Sequence, residues 1–228
     1  MTAETFDEYA AEHSDARFTD WLRERARPDW TAATEHRFVR ELTGGTLSDP
    51  AFRRYLVQDY AFVETLTSAF GYAVGQAPTM QAKRTLTDFL GTLTDEENDY
   101  FERSFDALGV PASDRTDPVK TAVTETFEDL LLRAAFEGEY EETLAVLLPA
   151  EWVYLTWATE PTGMPDEPRY REWVELHDNP AFEDFVSFLR DELDTYGPSV
   201  SERRQRRIDR LFTRTVALEV AFFDSVYE

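Results

Sequence analysis

Residues 48–63 read SDPAFRRYLVQDYAFV, and this stretch carries both the start signal and the buried face of an amphipathic helix. Ser48 or Asp49 can cap the helix, because a short side-chain oxygen accepts a hydrogen bond from a free backbone N–H, and Pro50 suits the first turn. The apolar face then consists of Phe52, Tyr55, Leu56, Tyr60 and Val63. This spacing predicts a long helix that continues until Pro78 interrupts it.

The same helical period extends over the rest of the sequence, which offers no convincing strand alternation and no two-residue hairpin signal. Breaks at glycine and proline divide it into helices at about residues 18–26, 50–77, 79–108, 118–136, 140–159, 169–177, 180–196 and 201–227. Because the connections are short, consecutive helices should be antiparallel neighbours. Residues 143–158 are apolar on all sides and should lie at the centre. The sequence therefore predicts an all-α fold, with residues 1–228 forming a single-domain helical bundle.

The chain is strongly acidic, because 23 basic residues are set against 46 acidic residues among 228, which gives a net charge of −23. Nucleic-acid binding is disfavoured, since neutralising phosphates needs a basic face. The absence of cysteine excludes a disulfide framework, a thiolate zinc site and a cysteine nucleophile. The acidic residues are spread from Glu4 to Glu228, which favours a solvated coat suited to a salty, haloarchaeal cytoplasm over a surface for one basic partner.

No segment resembles a targeting or membrane-spanning sequence. The N-terminus is acidic and lacks a basic region followed by an apolar one. Residues 65–82 carry no charge, but their glycines, proline and hydroxyl side chains make them too polar to span a bilayer. We therefore expect a cytoplasmic protein that has neither membrane nor nucleic acid among its partners.

Three acidic residues stand alone in apolar helical segments that lie far apart in the sequence: Asp59, Glu151 and Glu219. Tyr55 and Phe62 fall on the same helix face as Asp59, four residues before it and three after it. Burying an unpaired charge is costly, so each carboxylate needs a partner. Carboxylates that converge raise one another's pKa, and such groups suit general acid/base catalysis.

Two other uses of these carboxylates remain open. Each could accept hydrogen bonds from a neighbouring helix or pair with a buried arginine. A di-metal bundle would instead need Glu-x-x-His on two helices, and none of His13, His36 and His177 follows a glutamate by three residues. We therefore expect a site without metal or cofactor.

At these segments the chain resembles the TenA/THI-4 (thiaminase II-like) family, whose fold is a heme-oxygenase-like helical bundle. The matching motifs are His36-Arg-Phe-Val, Gly45-Thr-Leu, Phe52-x-x-Tyr-Leu-Val-Gln-Asp-Tyr, Leu147-Leu-Pro-x-x-Trp-x-Tyr154, and Glu219 with Phe222 and Phe223. They occur in the family's order and spacing over about residues 18–227. Relatives in pyrroloquinoline-quinone biosynthesis share this fold and are an alternative.

The resemblance implies a 4-aminopyrimidine substrate related to the pyrimidine half of thiamin. It implies that Asp59 grips the ring amino group and the adjacent ring nitrogen, that Tyr154 orients the catalytic group, and that Glu219 gives or takes a proton. The family's catalytic cysteine would fall at Ala150. The chain is therefore similar to the branch that lacks this cysteine and carries a glutamate nearby, which here is Glu151.

Aromatic residues should complete the site. Tyr55, Phe62 and Trp152 are expected to sandwich or wall the ring. The resemblance also places Phe62, Phe127 and His177 where the cysteine-containing branch tends to have tyrosines, so this chain lacks those hydroxyl groups.

Together these features predict a cysteine-independent hydrolase of thiamin salvage that acts on N-formyl aminopyrimidine or aminomethylpyrimidine. Glu151 and Glu219 would be the catalytic pair that shares a water. The alternatives are a non-catalytic aminopyrimidine-binding or regulatory protein, and a metal-dependent oxidase of the same fold. The resemblance also implies a homotetramer.

Overall fold

The computed structural model describes residues 4–159 and 163–228, and every regular element within them is a helix. The α-helices are α1 (Phe6–Glu12), α2 (Phe18–Arg25), α3 (Asp29–Thr34), α4 (Arg37–Thr43), α5 (Asp49–Gln76), α6 (Met80–Thr92), α7 (Asn98–Leu108), α8 (Ala112–Thr116), α9 (Ala122–Glu137), α10 (Tyr140–Ala158), α11 (Pro168–His177), α12 (Pro180–Tyr196) and α13 (Glu202–Ser225). A short 3₁₀ turn, Gly197–Ser199, separates α12 from α13. The predicted all-α fold is confirmed. None of the described helices is long and apolar enough to cross a bilayer.

Helix α5 begins where its sequence signal predicts. The Ser48 hydroxyl caps it by accepting a hydrogen bond from the Ala51 N–H, and Pro50 occupies the first turn. The helix ends at Gln76, just before Pro78. Its length of 28 residues lets one helix run through the interior and carry side chains of the site.

Helix α10 lies at the centre of the bundle, as its all-round apolar character predicts. Sixteen of its 19 residues are buried, because α10 contacts α5, α9, α12 and α13. The helix continues through Pro149. Because α10 lies against both α5 and α13, the three helices that carry the lone carboxylates share one interior.

The predicted helix over residues 79–108 is divided in the structure. Thr79 caps its start and Gly109, with a φ of 63°, ends it, as expected. Between α6 and α7, however, Leu93–Glu97 form a π-helical turn. A π-turn inserts an extra residue without ending the apolar stripe, so a search for a 3.6-residue period does not reveal it. The short helices α1, α3, α4 and α8 were not predicted, since five to seven residues define no period.

Candidate active site

A small cavity of about 30 Å³ lies between α5, the π-turn, α10 and α11. Its walls are Asp59, Phe62, Val63, Leu66, Leu93, Glu97, Ala150, Glu151, Tyr154, Trp173 and His177. Five of the residues predicted from the sequence to form the site are in this set, namely Asp59, Phe62, Glu151, Tyr154 and His177. The cavity therefore collects residues that are up to 118 positions apart in the chain.

Asp59 and Glu151 place two buried carboxyl groups in the wall of the cavity. They come from α5 and α10, and only 4% of Asp59 and 6% of Glu151 are exposed. Among the described residues, neither Asp59 Oδ2 nor Glu151 Oε1 has a hydrogen-bond partner. Unsatisfied buried oxygens are costly and rare in native proteins, so a ligand or water is the natural partner for them.

Glu219 extends this cluster from the third helix, α13. It does not belong to the cavity wall, but it is buried and close enough to Asp59 and Glu151 for their charges to act on its carboxyl. The three lone carboxylates of the sequence therefore meet in one electrostatic cluster.

The pKa values of these carboxyl groups are raised. Burial raises the pKa of Asp59 to about 7, although a hydrogen bond from Tyr55 opposes the rise. Burial, with repulsion from Asp59, raises the pKa of Glu151 to about 8. Burial is the largest cause of the raised pKa of Glu219, and repulsion from Asp59 and Glu151 adds to it. The pKa of Glu219 therefore lies well above the usual range. Near neutral pH the cluster thus holds ionised and protonated carboxyl groups side by side, which is what paired acid and base catalysts need.

Two tyrosines form a hydrogen-bonded chain that ends on Asp59. The hydroxyl oxygens of Tyr55 and Tyr154 are 3.0 Å apart, and the Tyr55 hydroxyl also hydrogen-bonds to the Asp59 carboxyl. Tyr55 has one hydroxyl proton, so when it donates to the carboxylate, Tyr154 must donate to Tyr55. Burial raises the pKa of both tyrosines well above the usual value, which keeps both hydroxyl groups protonated.

His177 offers the cavity a neutral imidazole. Burial lowers its pKa to about 4. Its Nδ1 lies 2.9 Å from the carbonyl oxygen of Trp173. Because a carbonyl only accepts hydrogen bonds, Nδ1 carries the proton and Nε2 keeps its lone pair. His177 can therefore accept a hydrogen bond from a ligand N–H, a property that a tyrosine hydroxyl would share.

The other predicted aromatic residues take different places. Phe127 packs behind Phe62, with ring centroids 4.5 Å apart, and supports the cavity wall without lining it. Trp152 lies outside the cavity, because its ring contacts Trp30 and the guanidinium of Arg190. Successive residues on a helix point about 100° apart, so the neighbour of Glu151 faces another side of α10.

Glu97 is a cavity residue that sequence reasoning missed. It ends the π-turn, and burial together with repulsion from Glu151 and Asp59 raises its pKa well above the usual range. Its acidic neighbours in the sequence make it resemble part of a solvated run. A signal was present, since Glu97 follows Leu93 by four residues and precedes Phe101 by four, on the apolar stripe.

Within residues 4–159 and 163–228 no group of three or more His, Asp or Glu side chains is arranged so that it could hold a metal ion.

Known proteins resemble this chain over nearly its whole length. The sequence profile of the TENA/THI-4/PQQC family matches residues 23–228. The aminopyrimidine aminohydrolase of Halalkalibacterium halodurans is 26% identical over 213 residues, which cover 92% of this chain and 95% of that protein. The aminopyrimidine aminohydrolase of Helicobacter pylori is 22% identical over 213 residues, which cover 92% of this chain and 98% of that protein.

Solved structures share the fold. A TenA family transcription regulator from Silicibacter sp. matches with a TM-score of 0.84 and 24% identity, over 92% of this chain and 96% of that one. A TenA homologue from P. horikoshii matches with a TM-score of 0.82 and 25% identity, over 93% of this chain and 99% of that one. Since the family profile covers all but the first 22 residues, this chain belongs to the TENA/THI-4/PQQC family.

Proposed function

We propose that this protein is a hydrolase of thiamin salvage that acts on a 4-aminopyrimidine. The observation that carries the proposal is that Asp59 and Glu151, from two helices, line one buried cavity, while Glu219 on a third helix is buried close enough for their charges to act on its carboxyl. The names of the curated relatives support it, because both are aminopyrimidine aminohydrolases. Two substrates fit this class, N-formyl aminopyrimidine and aminomethylpyrimidine.

Asp59 is the proposed anchor for the ring. A carboxyl group with a pKa of about 7 can share a proton with a ring nitrogen while its other oxygen accepts a hydrogen bond from the adjacent amino group. The unpartnered Oδ2 supplies one of these contacts, and the hydrogen bond from Tyr55 holds the carboxyl in place. Phe62 offers its ring as an apolar wall, backed by Phe127.

Glu151 and Glu219 are the proposed proton-transfer pair. For aminomethylpyrimidine, the ionised carboxylate takes a proton from water as the water oxygen bonds to the methylene carbon, and the carbon–nitrogen bond breaks. The arm nitrogen must be protonated before this bond breaks; where it is a neutral amine the protonated partner supplies that proton, and the nitrogen leaves as ammonia. For the N-formyl substrate, water attacks the formyl carbon and formate is released with the amine. Raised pKa values favour this division of labour, since they let one carboxyl stay protonated near neutral pH.

The proposed chemistry needs no thiol. The chain contains no cysteine, and Ala150 contributes a methyl group to the cavity wall beside Glu151. Assignment to the cysteine-lacking branch of the family follows from this pair of residues, and remains part of the proposal.

Product analysis tests the proposed function. Purified protein is incubated with each of the two pyrimidines, and ammonia and formate are measured with time. Release of either product, above the rate without protein, supports a hydrolase. Tight binding of both compounds without release would overturn the hydrolase and favour a non-catalytic binding or regulatory protein.

Three further properties are proposed on the same basis. We infer a homotetramer from the family resemblance, a cytoplasmic location from the sequence, and a haloarchaeal, salt-adapted protein from the net charge of −23. Acidic side chains repel one another less when salt screens them, so the melting temperature should rise with potassium chloride concentration. Light scattering at the same salt concentrations gives the number of subunits.

A further inference from the structure

The π-turn places Glu97 over the same cavity as Asp59. Both ends of the turn, Leu93 and Glu97, line the cavity. The next residue, Asn98, accepts a hydrogen bond of 2.8 Å from the hydroxyl of Tyr60, which directly follows Asp59 on α5. This contact ties the end of the π-turn to the helix that carries Asp59. The hydrogen bond between Tyr60 and Asn98 therefore helps to hold Glu97 in position. π-Turns are frequent at functional sites.

Glu97 stands at the mouth of the cavity. The residue as a whole keeps part of its surface exposed, whereas Asp59 and Glu151 are almost completely buried. Its carboxyl is nevertheless desolvated and feels the charges of Glu151 and Asp59. A ligand that enters from solvent can thus keep contact with Glu97 after it reaches the two deeper carboxyl groups.

The charge of the cavity favours a cationic ligand group. Its described walls contain three carboxyl groups and no lysine or arginine, and His177 is neutral. Two of the deeper carboxyl oxygens are buried and have no partner among the described residues. One amino-bearing ring can occupy Asp59, which leaves the carboxyl groups of Glu97 and Glu151 to face whatever substituent the ring carries.

We propose that Glu97 is a specificity-determining residue that binds the ammonium group of an aminomethyl arm, so that the cavity prefers a pyrimidine with a cationic arm to one with a neutral arm. This proposal rests on the proposed function, because it assumes that the ring occupies the same cavity. A primary alkylamine is protonated near neutral pH, as lysine is. A charge-assisted hydrogen bond between ammonium and carboxylate is stronger than one made by a neutral hydroxyl group.

Two ligands and two variants test this role. Aminomethylpyrimidine and hydroxymethylpyrimidine have the same ring and differ in the charge of one arm. Their dissociation constants are measured by calorimetry at neutral pH in a Glu219→Gln background, which slows hydrolysis of the aminomethyl compound, with residues 96 and 97 as in the wild type, with Glu97→Gln and with Glu96→Gln. Glu96 is an exposed neighbour on the same π-turn, so its variant is the matched control.

We expect Glu97→Gln to weaken binding of the aminomethyl compound by about tenfold or more. Binding of the hydroxymethyl compound should change less than about twofold in this variant, which also shows that the variant is folded. Glu96→Gln should bind both compounds as the wild type does.

The failures of the two proposals are distinguishable. If Glu97→Gln weakens the binding of both ligands equally, or leaves the binding of both unchanged, the role of Glu97 is overturned while the proposed function stands. If Glu96→Gln causes the same selective loss of affinity for the aminomethyl compound, the loss comes from the overall negative charge of the π-turn. The role of Glu97 is then likewise overturned. If the wild type binds neither compound, the proposed function fails first and the specificity proposal fails with it.

Discussion

The hydroxyl oxygens of Tyr55 and Tyr154 lie 3.0 Å apart, and this contact joins α5 to α10 beside the cavity. Since Tyr55 also hydrogen-bonds to Asp59, the position of the carboxyl depends on residues from both helices. The orientation of the proposed ring anchor is therefore set before any ligand arrives, which reduces the entropy lost on binding.

Replacing Tyr55 with phenylalanine should weaken the ring anchor. Tyr55→Phe removes the donor to Asp59 and leaves the Tyr154 hydroxyl without its partner, so we expect aminopyrimidine to bind roughly tenfold more weakly. Calorimetric titration measures the change. Tyr140→Phe is the control, because its hydroxyl donates to Glu192 at the other end of α10, and it should bind normally. Equal affinities of Tyr55→Phe and the wild type would contradict this supporting role.

Asp59→Asn tests the anchor directly. The amide keeps the shape of the side chain but loses the charge and one accepting oxygen, so the dissociation constant should rise by about tenfold to 100-fold. Fluorescence or calorimetric titration with aminopyrimidine gives the value. The exposed Asp88→Asn should leave it unchanged. An unaltered dissociation constant for Asp59→Asn would remove Asp59 from the proposed contacts.

Glu219→Gln should separate catalysis from folding. The amide cannot exchange a proton, so turnover of a confirmed substrate should fall by about 100-fold or more, while the circular dichroism spectrum stays the same. Glu202→Gln, at the exposed start of the same helix, should retain wild-type turnover. Full activity in Glu219→Gln would exclude it as a proton donor or acceptor.

The buried carboxyl groups should make stability depend on pH. The pKa of Glu151 rises on folding from 4.5 to about 8, so the folded state binds more protons than the unfolded state between these values. The contribution of protonated Glu151 to the free energy of unfolding is therefore complete below pH 4.5 and is lost as the pH rises through 8.

Glu151→Gln removes this loss, because glutamine stays neutral at all pH values. The unfolding free energy of the variant, measured relative to the wild type, should therefore be about 4 kcal/mol higher at pH 9 than at pH 5. Urea denaturation at both pH values measures the gain. Glu137→Gln, on an exposed position, controls for the change in net charge and should show no such difference. A gain that is the same at both pH values would argue against a raised pKa at Glu151.

The sequence predicted most of the fold because its helix signals are local. Ser48 with Pro50, Thr79 and Gly109 mark helix ends through interactions within a few residues. The lone carboxylates were also visible, since a charge in an apolar helix stands out against its neighbours. Their meeting in one electrostatic cluster depends on how α5, α10 and α13 pack, and only the structure shows it.

The features that sequence reasoning missed depend on geometry between helices. Glu97 lines the cavity from the end of a π-turn, and nothing in a short acidic run specifies such a turn. Trp152 was expected to wall the ring, but its position on α10 takes it to Trp30 instead. Adjacency in sequence and adjacency on a helix face differ by about 100°.

The four clustered carboxyl groups also give the cavity a store of exchangeable protons. A cationic ligand favours the ionised forms of Asp59, Glu151, Glu219 and Glu97, so its arrival must expel protons into the solvent. Any heat measured on binding then includes the ionisation enthalpy of the buffer that takes them up. Titrations in two buffers, such as phosphate and Tris, would count the protons that the site exchanges for one ligand.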